Sequence, residues 1–311
     1  MKIAVLDGYG LNPGDMSWEW LAEIGEYTVY DRTPAELVYE RIKDADGVII
    51  NKIVFDKALI DKLPKLKYIG ITATGYNVVD IAYAAQKGIT VTNVPAYSTD
   101  SVAQHTFALM LELLNRTSEH DKSVKSGKWS ANADFCYWLS PQTELAGKTL
   151  GIIGGGKIGM KAACIAEAFG MKTLLCGSSN KPGRVPLDEV LEKSDLISLH
   201  CPLNAETDKI INEKNIEKMR DGVYIINTAR GGLVDEIAVG NALKCGKIAG
   251  YAADVLSTEP PQADNPLISA PNTLITPHVA WATTEARTRL MEKVRENLYG
   301  FINGNVQNKV N

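Results

Sequence analysis

The chain has 311 residues, a formal net charge of −4, 45% apolar residues and 23% charged residues. That length is generous for one hydrophobic core and suits two domains. The mild negative charge offers no basic field for nucleic acid or an anionic membrane, and no apolar run is long enough to span a bilayer.

Met1-Lys-Ile-Ala-Val-Leu-Asp7 reads as a short strand ending in an acid and Gly8, not as a signal peptide. The cysteines (Cys136, Cys164, Cys176, Cys201, Cys245) are odd in number, scattered and never spaced C-x-x-C. This argues against a disulfide framework and against a zinc site, so no metal is expected and a reducing cytoplasm fits best. The cysteines read as small core filler.

Short apolar strands alternate with helix-period segments along the chain. In order, the strands are Lys2–Leu6, Gly47–Asn51, Tyr68–Thr72, Thr90–Asn93, Thr149–Ile153, Lys172–Cys176, Leu196–Leu199, Gly222–Asn227, Ile248–Ala253 and Thr273–Thr276. The segments Pro34–Lys43, Asp56–Leu63, Asp80–Lys87, Lys157–Phe169, Pro186–Lys193, Asn212–Met219 and Glu236–Cys245 read as helices on apolar spacing or start signals. Such alternation implies parallel sheets covered by helices on both faces.

Asp100–Gly127 reads as one extended helix with Val102, Phe107, Met110, Leu111 and Leu114 on its apolar face and Ser98-Thr99-Asp100 at its start. Thr284–Phe301 has helical periodicity through Ala286, Leu290, Val294, Leu298 and Phe301. The fold expected is α/β: two Rossmann-like or flavodoxin-like doubly wound parallel-sheet domains with a cleft between them. The first is discontinuous, 1–97 plus 288–311, and the second spans 98–287.

The most informative stretch is Leu150-Gly-Ile-Ile-Gly-Gly-Gly-Lys-Ile-Gly159. A strand runs into Gly154, Gly156 and Gly159 at G-x-G-x-x-G spacing, and a helix follows. This context marks a dinucleotide site: a tight turn, close backbone approach to a pyrophosphate, and tight packing of the helix whose N-terminus faces the anion. Lys157 and Ile158 open that helix.

In open α/β sheets ligands bind beyond the carboxyl ends of strands. Arg230 follows one strand end between Ala229 and two glycines, and its planar fork suits a carboxylate. Asp254 ends the next strand, followed by Glu259 before two prolines, and His278 follows the last strand after Pro277. Taken singly, each has a bland reading: a surface arginine, a solvated loop carboxylate, a structural histidine. His105, His120 and His200 are given the structural reading. Jointly, three consecutive strand ends place an arginine, an acid and a histidine beside a dinucleotide. That set suits carbonyl reduction, with hydride from the cofactor, a proton from histidine and a carboxylate anchored by arginine.

From end to end the chain resembles the D-specific 2-hydroxyacid dehydrogenases. The matching runs are Gly151–Gly159, Ile226-Asn-Thr-Ala-Arg-Gly-Gly-Leu-Val-Asp-Glu236, Asp254–Pro260 and Thr276-Pro-His-Val-Ala-Trp-Ala282. Within that family it is most similar to the glycerate dehydrogenase (hydroxypyruvate reductase) branch, through Asn93–Thr106 and Ala133-Asp-Phe-Cys-Tyr-Trp138.

The resemblance implies that Arg230 binds substrate carboxylate and carbonyl oxygen, that His278 is the acid/base and that Glu259 supports its protonated form. It implies that the Thr74-Gly75-Tyr76 turn offers backbone N–H groups to the same carboxylate, with Lys52 nearby. Asp254 would hold the nicotinamide amide, and Val102, Thr106, Cys201, Pro202, Thr228 and Ala229 would line the cofactor groove. Homodimers paired through the long helix and its following loop are implied, with Trp138 either reaching the partner's site or lying in the dimer core.

One departure concerns the ribose. NAD-selective sites place an acid at the end of the second strand. Here the chain reads Cys176-Gly177-Ser178-Ser179-Asn180-Lys181, then Arg184. Gly177, Ser178, Ser179 and Lys181 are the candidates at this position, and the cofactor expected is NAD(P)(H) with a slight lean to NADP(H).

The leading function is reduction of hydroxypyruvate or glyoxylate, a small 2-oxo acid becoming a 2-hydroxy acid. The alternatives are a broad 2-ketoacid reductase acting on pyruvate or branched ketoacids, and a dinucleotide-sensing regulatory protein. The second is disfavoured by the absence of a recognisable partner-binding extension.

Overall fold

The computed structural model describes residues 1–177 and 182–311. The chain forms two compact units, Met1–Ser98 with Ala282–Asn311, and Thr99–Trp281.

The first unit holds β1 (Lys2–Val5), β2 (Glu26–Val29), α1 (Val38–Ile42), β3 (Gly47–Ile50), α2 (Lys57–Asp61), β4 (Tyr68–Ile71), α3 (Ile81–Gln86) and β5 (Thr90–Thr92). Its strands pair in the order β2-β1-β3-β4-β5, all parallel. Every residue of β3 and β4 is buried, as expected of central strands covered on both faces. The short helices start where the sequence supplies caps. Asp56 accepts from the Leu59 N–H and Asp80 from the Tyr83 N–H; such a cap is worth about 1 kcal/mol.

The C-terminal helix, Thr284–Ile302, is capped by Thr283 and buries Leu290, Met291, Val294 and Leu298. Phe301 packs on Tyr68 with ring centroids 5.0 Å apart. Arg287 makes a bidentate contact with Asp15 at 2.7 and 2.6 Å, which holds that carboxyl below the usual range.

The sequence reading has no counterpart to β2. It is an edge strand whose residues alternate between exposed and half-buried, so no apolar run marks it. Pro34–Lys43 also differs from the single helix expected, forming a 3₁₀ turn at Ala35–Leu37 before α1.

The second unit holds α4 (Thr99–Asn115), α5 (Thr117–Lys125), β6 (Thr149–Ile153), α6 (Lys157–Ala168), β7 (Lys172–Cys176), α7 (Leu187–Lys193), β8 (Leu196–Leu199), α8 (Glu213–Lys218), β9 (Val223–Asn227), α9 (Glu236–Lys244), β10 (Ile248–Ala253) and β11 (Thr273–Ile275). The strand order is β11-β10-β9-β8-β6-β7, again all parallel. Phe107, Met110, Leu113 and Leu114 of α4 share a core with Leu150, Ile152, Ala162 and Ala166.

The extended helix expected over Asp100–Gly127 is broken. Arg116 adopts a left-handed conformation (φ 48°) between α4 and α5. The Glu112 carboxylate there accepts from the Thr117 hydroxyl at 2.5 Å and the Ser118 N–H at 3.2 Å. The Glu112 carboxylate thus takes the place of a capping acceptor for the first turn of α5, and a new helix starts after the left-handed Arg116.

Both units are doubly wound parallel α/β domains. Among the described residues no helix is long and apolar enough to cross a membrane.

Candidate active site

In the second unit the direction of winding reverses between β6 and β8. This switch point is where an open parallel sheet leaves a ligand crevice beyond its carboxyl edge. The glycine loop follows β6 there. Gly154 has φ +113°, and a Cβ on it would lie 2.3 Å from the Cys201 nitrogen, so the loop and the residues after β8 touch backbone to backbone. A Cβ on Gly159 would meet the Gly154 carbonyl oxygen at 2.0 Å, which fixes α6 tightly against the loop.

Gly156 precedes α6 and has nothing within 4 Å of its Cβ position, leaving an open cradle. Lys157 and Ile158 form the first turn of α6, whose N–H groups suit a phosphate. Cys201 and Pro202 lie beside the loop after β8. Burial raises the Cys201 thiol above its ordinary range, so it is a neutral lining group rather than a nucleophile.

Thr228 and Ala229 follow β9. The Thr228 hydroxyl lies 2.9 Å from that of Thr106, which donates to the Val102 carbonyl at 2.8 Å. Gly177 follows β7 next to Gly155. Ser178, Ser179 and Lys181 lie outside the described residues.

β9, β10 and β11 are neighbours, and their ends carry the remaining candidates of this unit. Buried Asn227 organises the loop after β9. Its amide nitrogen donates to the Arg230 carbonyl at 2.9 Å and its oxygen accepts from the Ala229 N–H at 3.0 Å. Arg230 itself is exposed, with Nη1 donating to the Ala229 carbonyl at 2.7 Å. Gly231 lets this loop press on the next one: a Cβ there would lie 1.9 Å from the Leu256 carbonyl carbon.

Glu259 belongs to that second loop. Its Oε1 accepts from the Leu256 N–H at 3.2 Å, and its Oε2 lies 2.6 Å from His278 Nδ1. With Nδ1 on Glu259, the Nε2 edge of His278 is left to face a ligand. The imidazole is about one-third exposed, at 32%.

The turn that carries His278 is built on Asp254. His278 has φ +56°, an uncommon conformation for a residue with a side chain. Its N–H donates to the Asp254 carbonyl at 2.9 Å. The Asp254 carboxylate, 1% exposed, accepts from the N–H groups of Val279 and Ala280, each at 2.8 Å, and from the Thr276 hydroxyl at 2.6 Å. His105 Nε2 lies 2.9 Å from that same hydroxyl. Asp254 was expected from sequence to hold a nicotinamide amide; the groups that donate to its carboxylate here lie on the His278 turn. His105 Nε2 also lies 3.5 Å from Asp254 Oδ1, so the buried carboxylate is in contact with α4 as well as with the His278 turn.

In the first unit, Lys52 follows β3 and Thr74-Gly75-Tyr76 follows the adjacent β4. The Thr74 hydroxyl donates to the Val94 carbonyl at 2.9 Å, and the Asn93 amide donates to the Thr74 carbonyl at 2.7 Å. Asp7, at the end of β1 and across this sheet's own switch point, accepts from the N–H groups of Asn51 at 2.8 Å and Lys52 at 2.6 Å. Burial raises its carboxyl above the ordinary value, with those N–H groups pulling the other way. In sequence Asp7 is simply an acid at a strand end; the Lys52 backbone it braces lies 45 positions away and is brought to it by packing.

Trp138, on the segment after α5, is 72% exposed and Phe135 nearby in sequence is 88% exposed. His120 is satisfied by the Arg116 carbonyl and the Leu139 N–H, and His200 by the Ser198 hydroxyl at 2.8 Å. All five cysteines are free thiols.

The "D-isomer specific 2-hydroxyacid dehydrogenase, NAD binding domain" family matches residues 107–280. The chain is similar to a hydroxypyruvate reductase of Blautia hydrogenotrophica, 48% identical over 100% of both chains. It also resembles two solved structures. One is an NADPH-dependent glyoxylate/hydroxypyruvate reductase from Sinorhizobium meliloti in complex with citrate (TM-score 0.84, 30% identity, 99% of this chain and 97% of that one). The other is a D-lactate dehydrogenase from Aquifex aeolicus complexed with NAD and lactic acid (TM-score 0.82, 32% identity, 98% and 96%). The glycine cradle, the strand-end residues and a match that extends over more than half of the chain lead to one assignment: this protein belongs to the D-isomer-specific 2-hydroxyacid dehydrogenase family.

Proposed function

We propose that the protein reduces hydroxypyruvate to D-glycerate, and glyoxylate likewise, using NAD(P)H. The observation that carries this reading is the 2.6 Å contact between Glu259 and His278 on the strand edge next to the Arg230 loop. The hydroxypyruvate reductase from Blautia, similar along its full length, supports the choice of substrate. The open cradle at Gly156 and the N-terminus of α6 fit a dinucleotide pyrophosphate.

A nicotinamide dinucleotide held by the glycine loop and the N-terminus of α6 would supply the hydride. Arg230 takes the substrate carboxylate in its guanidinium fork and orients the adjacent carbonyl. As a C–H bond forms at the carbonyl carbon, the π-electron pair moves to oxygen, and His278 Nε2 gives that oxygen its proton. Glu259, on Nδ1, fixes the tautomer and the ring orientation and offsets the imidazolium charge before transfer.

The same proposal places NADP(H) slightly ahead of NAD(H), because no acid stands between Cys176 and Arg184. A homodimer joined through the α5 region covers exposed Phe135 and Trp138; light scattering on the purified protein tests this. Five free thiols support a cytoplasmic location. The deciding experiment is loss of NADH or NADPH absorbance with a panel of 2-oxo acids, in which hydroxypyruvate and glyoxylate should outrank pyruvate and branched ketoacids.

A further inference from the structure

Helix α4 grips the His278 turn with two side chains. Ser101 and His105 lie four residues apart, so they share one face of the helix. The buried Ser101 hydroxyl donates to the Ala280 carbonyl at 2.5 Å. His105 Nε2 lies 2.9 Å from the Thr276 hydroxyl and 3.5 Å from Asp254 Oδ1. The two gripped residues, Thr276 and Ala280, flank His278 symmetrically in the chain.

Donor count sets the direction of these bonds. The Thr276 hydroxyl has one proton, which goes to the Asp254 carboxylate at 2.6 Å. Toward His105 the same oxygen therefore accepts, and His105 donates from Nε2. The neutral tautomer protonated at Nε2 and the imidazolium both meet that demand. The result is a chain from His105 through Thr276 to Asp254. Asp254 in turn accepts from the Val279 and Ala280 N–H groups at 2.8 Å each. Ala280 is thus held at both ends, its N–H by Asp254 and its carbonyl by Ser101.

The base of this grip is firm, because Phe107, Met110, Leu113 and Leu114 bury α4 in the core of its unit. Thr106, next to His105, meets the Thr228 hydroxyl at 2.9 Å, at the start of the Arg230 loop. One stretch of α4 therefore registers two loops of the same sheet edge, the one that carries Arg230 and the one that carries His278. A general acid must stand within hydrogen-bond reach of the oxygen it protonates, and a misplacement of ~1 Å can cost about 10²-fold in rate.

We propose that His105 and Ser101 are positioning residues for the proton transfer. From α4 they hold the His278 turn in place, His105 through Thr276 and Asp254, and Ser101 through Ala280. The proposal rests on the reading of His278 as the proton donor.

The test uses the full-length protein and the 2-oxo acid that the wild type reduces fastest. His105→Leu fills the space and removes the donor, whereas His105→Gln returns an N–H at similar reach. His105→Leu should lower kcat roughly tenfold or more, with NADPH affinity within about threefold and Tm within about 4 °C of the wild type. The solvent deuterium isotope effect on kcat should rise, because a misplaced imidazole slows the proton transfer and a merely loosened fold does not single out that step. His105→Gln should regain most of the rate. In a Thr276→Val background, His105→Leu should cost nothing more, since His105 acts through Thr276. Ser101→Ala deletes one hydroxyl and should give a smaller fall in kcat with the same isotope signature; it decides the matter where His105→Leu yields no folded protein. Wild-type kcat in either His105→Leu or Ser101→Ala would overturn the proposal. So would a loss confined to NADPH affinity, or a fall in kcat with an unchanged solvent isotope effect and no rescue by glutamine. His278→Ala is measured alongside. If it retains turnover, the proton-donor reading has failed and the proposal with it; if it is inactive while the α4 variants match the wild type, the proposal alone has failed.

Discussion

The backbone N–H of His278 donates to the carbonyl of Asp254 at 2.9 Å, and the carboxylate of the same aspartate accepts from the next two N–H groups. One buried residue, through both its backbone carbonyl and its carboxylate, therefore holds the positive-φ turn from which the imidazole projects. An unusual backbone conformation of this kind costs about 1–3 kcal/mol and persists only where its surroundings over-determine it. Here the surroundings are Asp254, Thr276 and the Trp281 indole, which donates to the His278 carbonyl at 2.9 Å.

Asp254→Asn tests this clamp. An amide can accept from one N–H but turns a donor toward the other. The variant should lose about 1–3 kcal/mol of stability, the cost of an unsatisfied buried donor, and kcat should fall roughly tenfold. NADPH affinity, measured by fluorescence quenching, should change little. If NADPH binding collapses while kcat at saturating cofactor is retained, Asp254 acts on the nicotinamide amide and not on the turn.

Arg230 has no carboxylate partner among the described ion pairs, and its backbone is held by Asn227, so its guanidinium is available to a ligand. Arg230→Lys keeps the charge and loses the fork. The expected result is a large rise in KM for hydroxypyruvate together with a fall in kcat, because anchoring and orientation are lost together. An unchanged kcat/KM would remove Arg230 from the carboxylate site.

His200 lies between β8 and the glycine loop, where burial pushes its imidazole down to about 4. An unfolded histidine titrates near 6.5. Between these values the unfolded chain binds the extra proton, so stability falls as pH is lowered from about 6.5 to about 4, by on the order of 1 kcal/mol per unit, and levels off below. Thermal melts of His200→Asn over that range should show a shallower loss of Tm than the wild type. Parallel slopes would mean that His200 is not protected from protonation in the native state.

The fold class was legible because buried parallel strands leave unbroken apolar runs such as Val48-Ile49-Ile50 and Ile225-Ile226, and because Asp56, Asp80, Asn212 and Asp235 mark helix starts. What escaped had no such pattern. β2 is a half-exposed edge, though Tyr27-Thr28-Val29 carried a β-prone signal. The break at Arg116 depends on Glu112 reaching Thr117 and Ser118, a local competition that helical periodicity does not register.

The glycine loop was readable because its chemistry lies in one contiguous segment. The partners of Asp7 and Asp254 lie 44 and 25 positions away, and only packing brings them together. Asn227 and Gly231 sat inside a run that the resemblance had singled out. Their work of pinning the Arg230 loop and admitting the Leu256 backbone shows only in the contacts.

The central claim is that His278 gives a proton to a 2-oxo acid during reduction by NAD(P)H. The most direct measurement is the steady-state rate of hydroxypyruvate-dependent NADPH and NADH oxidation by the wild type and by His278→Ala. The wild type should show a kcat/KM of about 10⁴ M⁻¹s⁻¹ or higher with at least one cofactor. His278→Ala should lower kcat by roughly 10²–10⁴-fold, with cofactor affinity nearly unchanged. Negligible turnover of hydroxypyruvate by the wild type, or near-wild-type turnover by His278→Ala, would contradict the account.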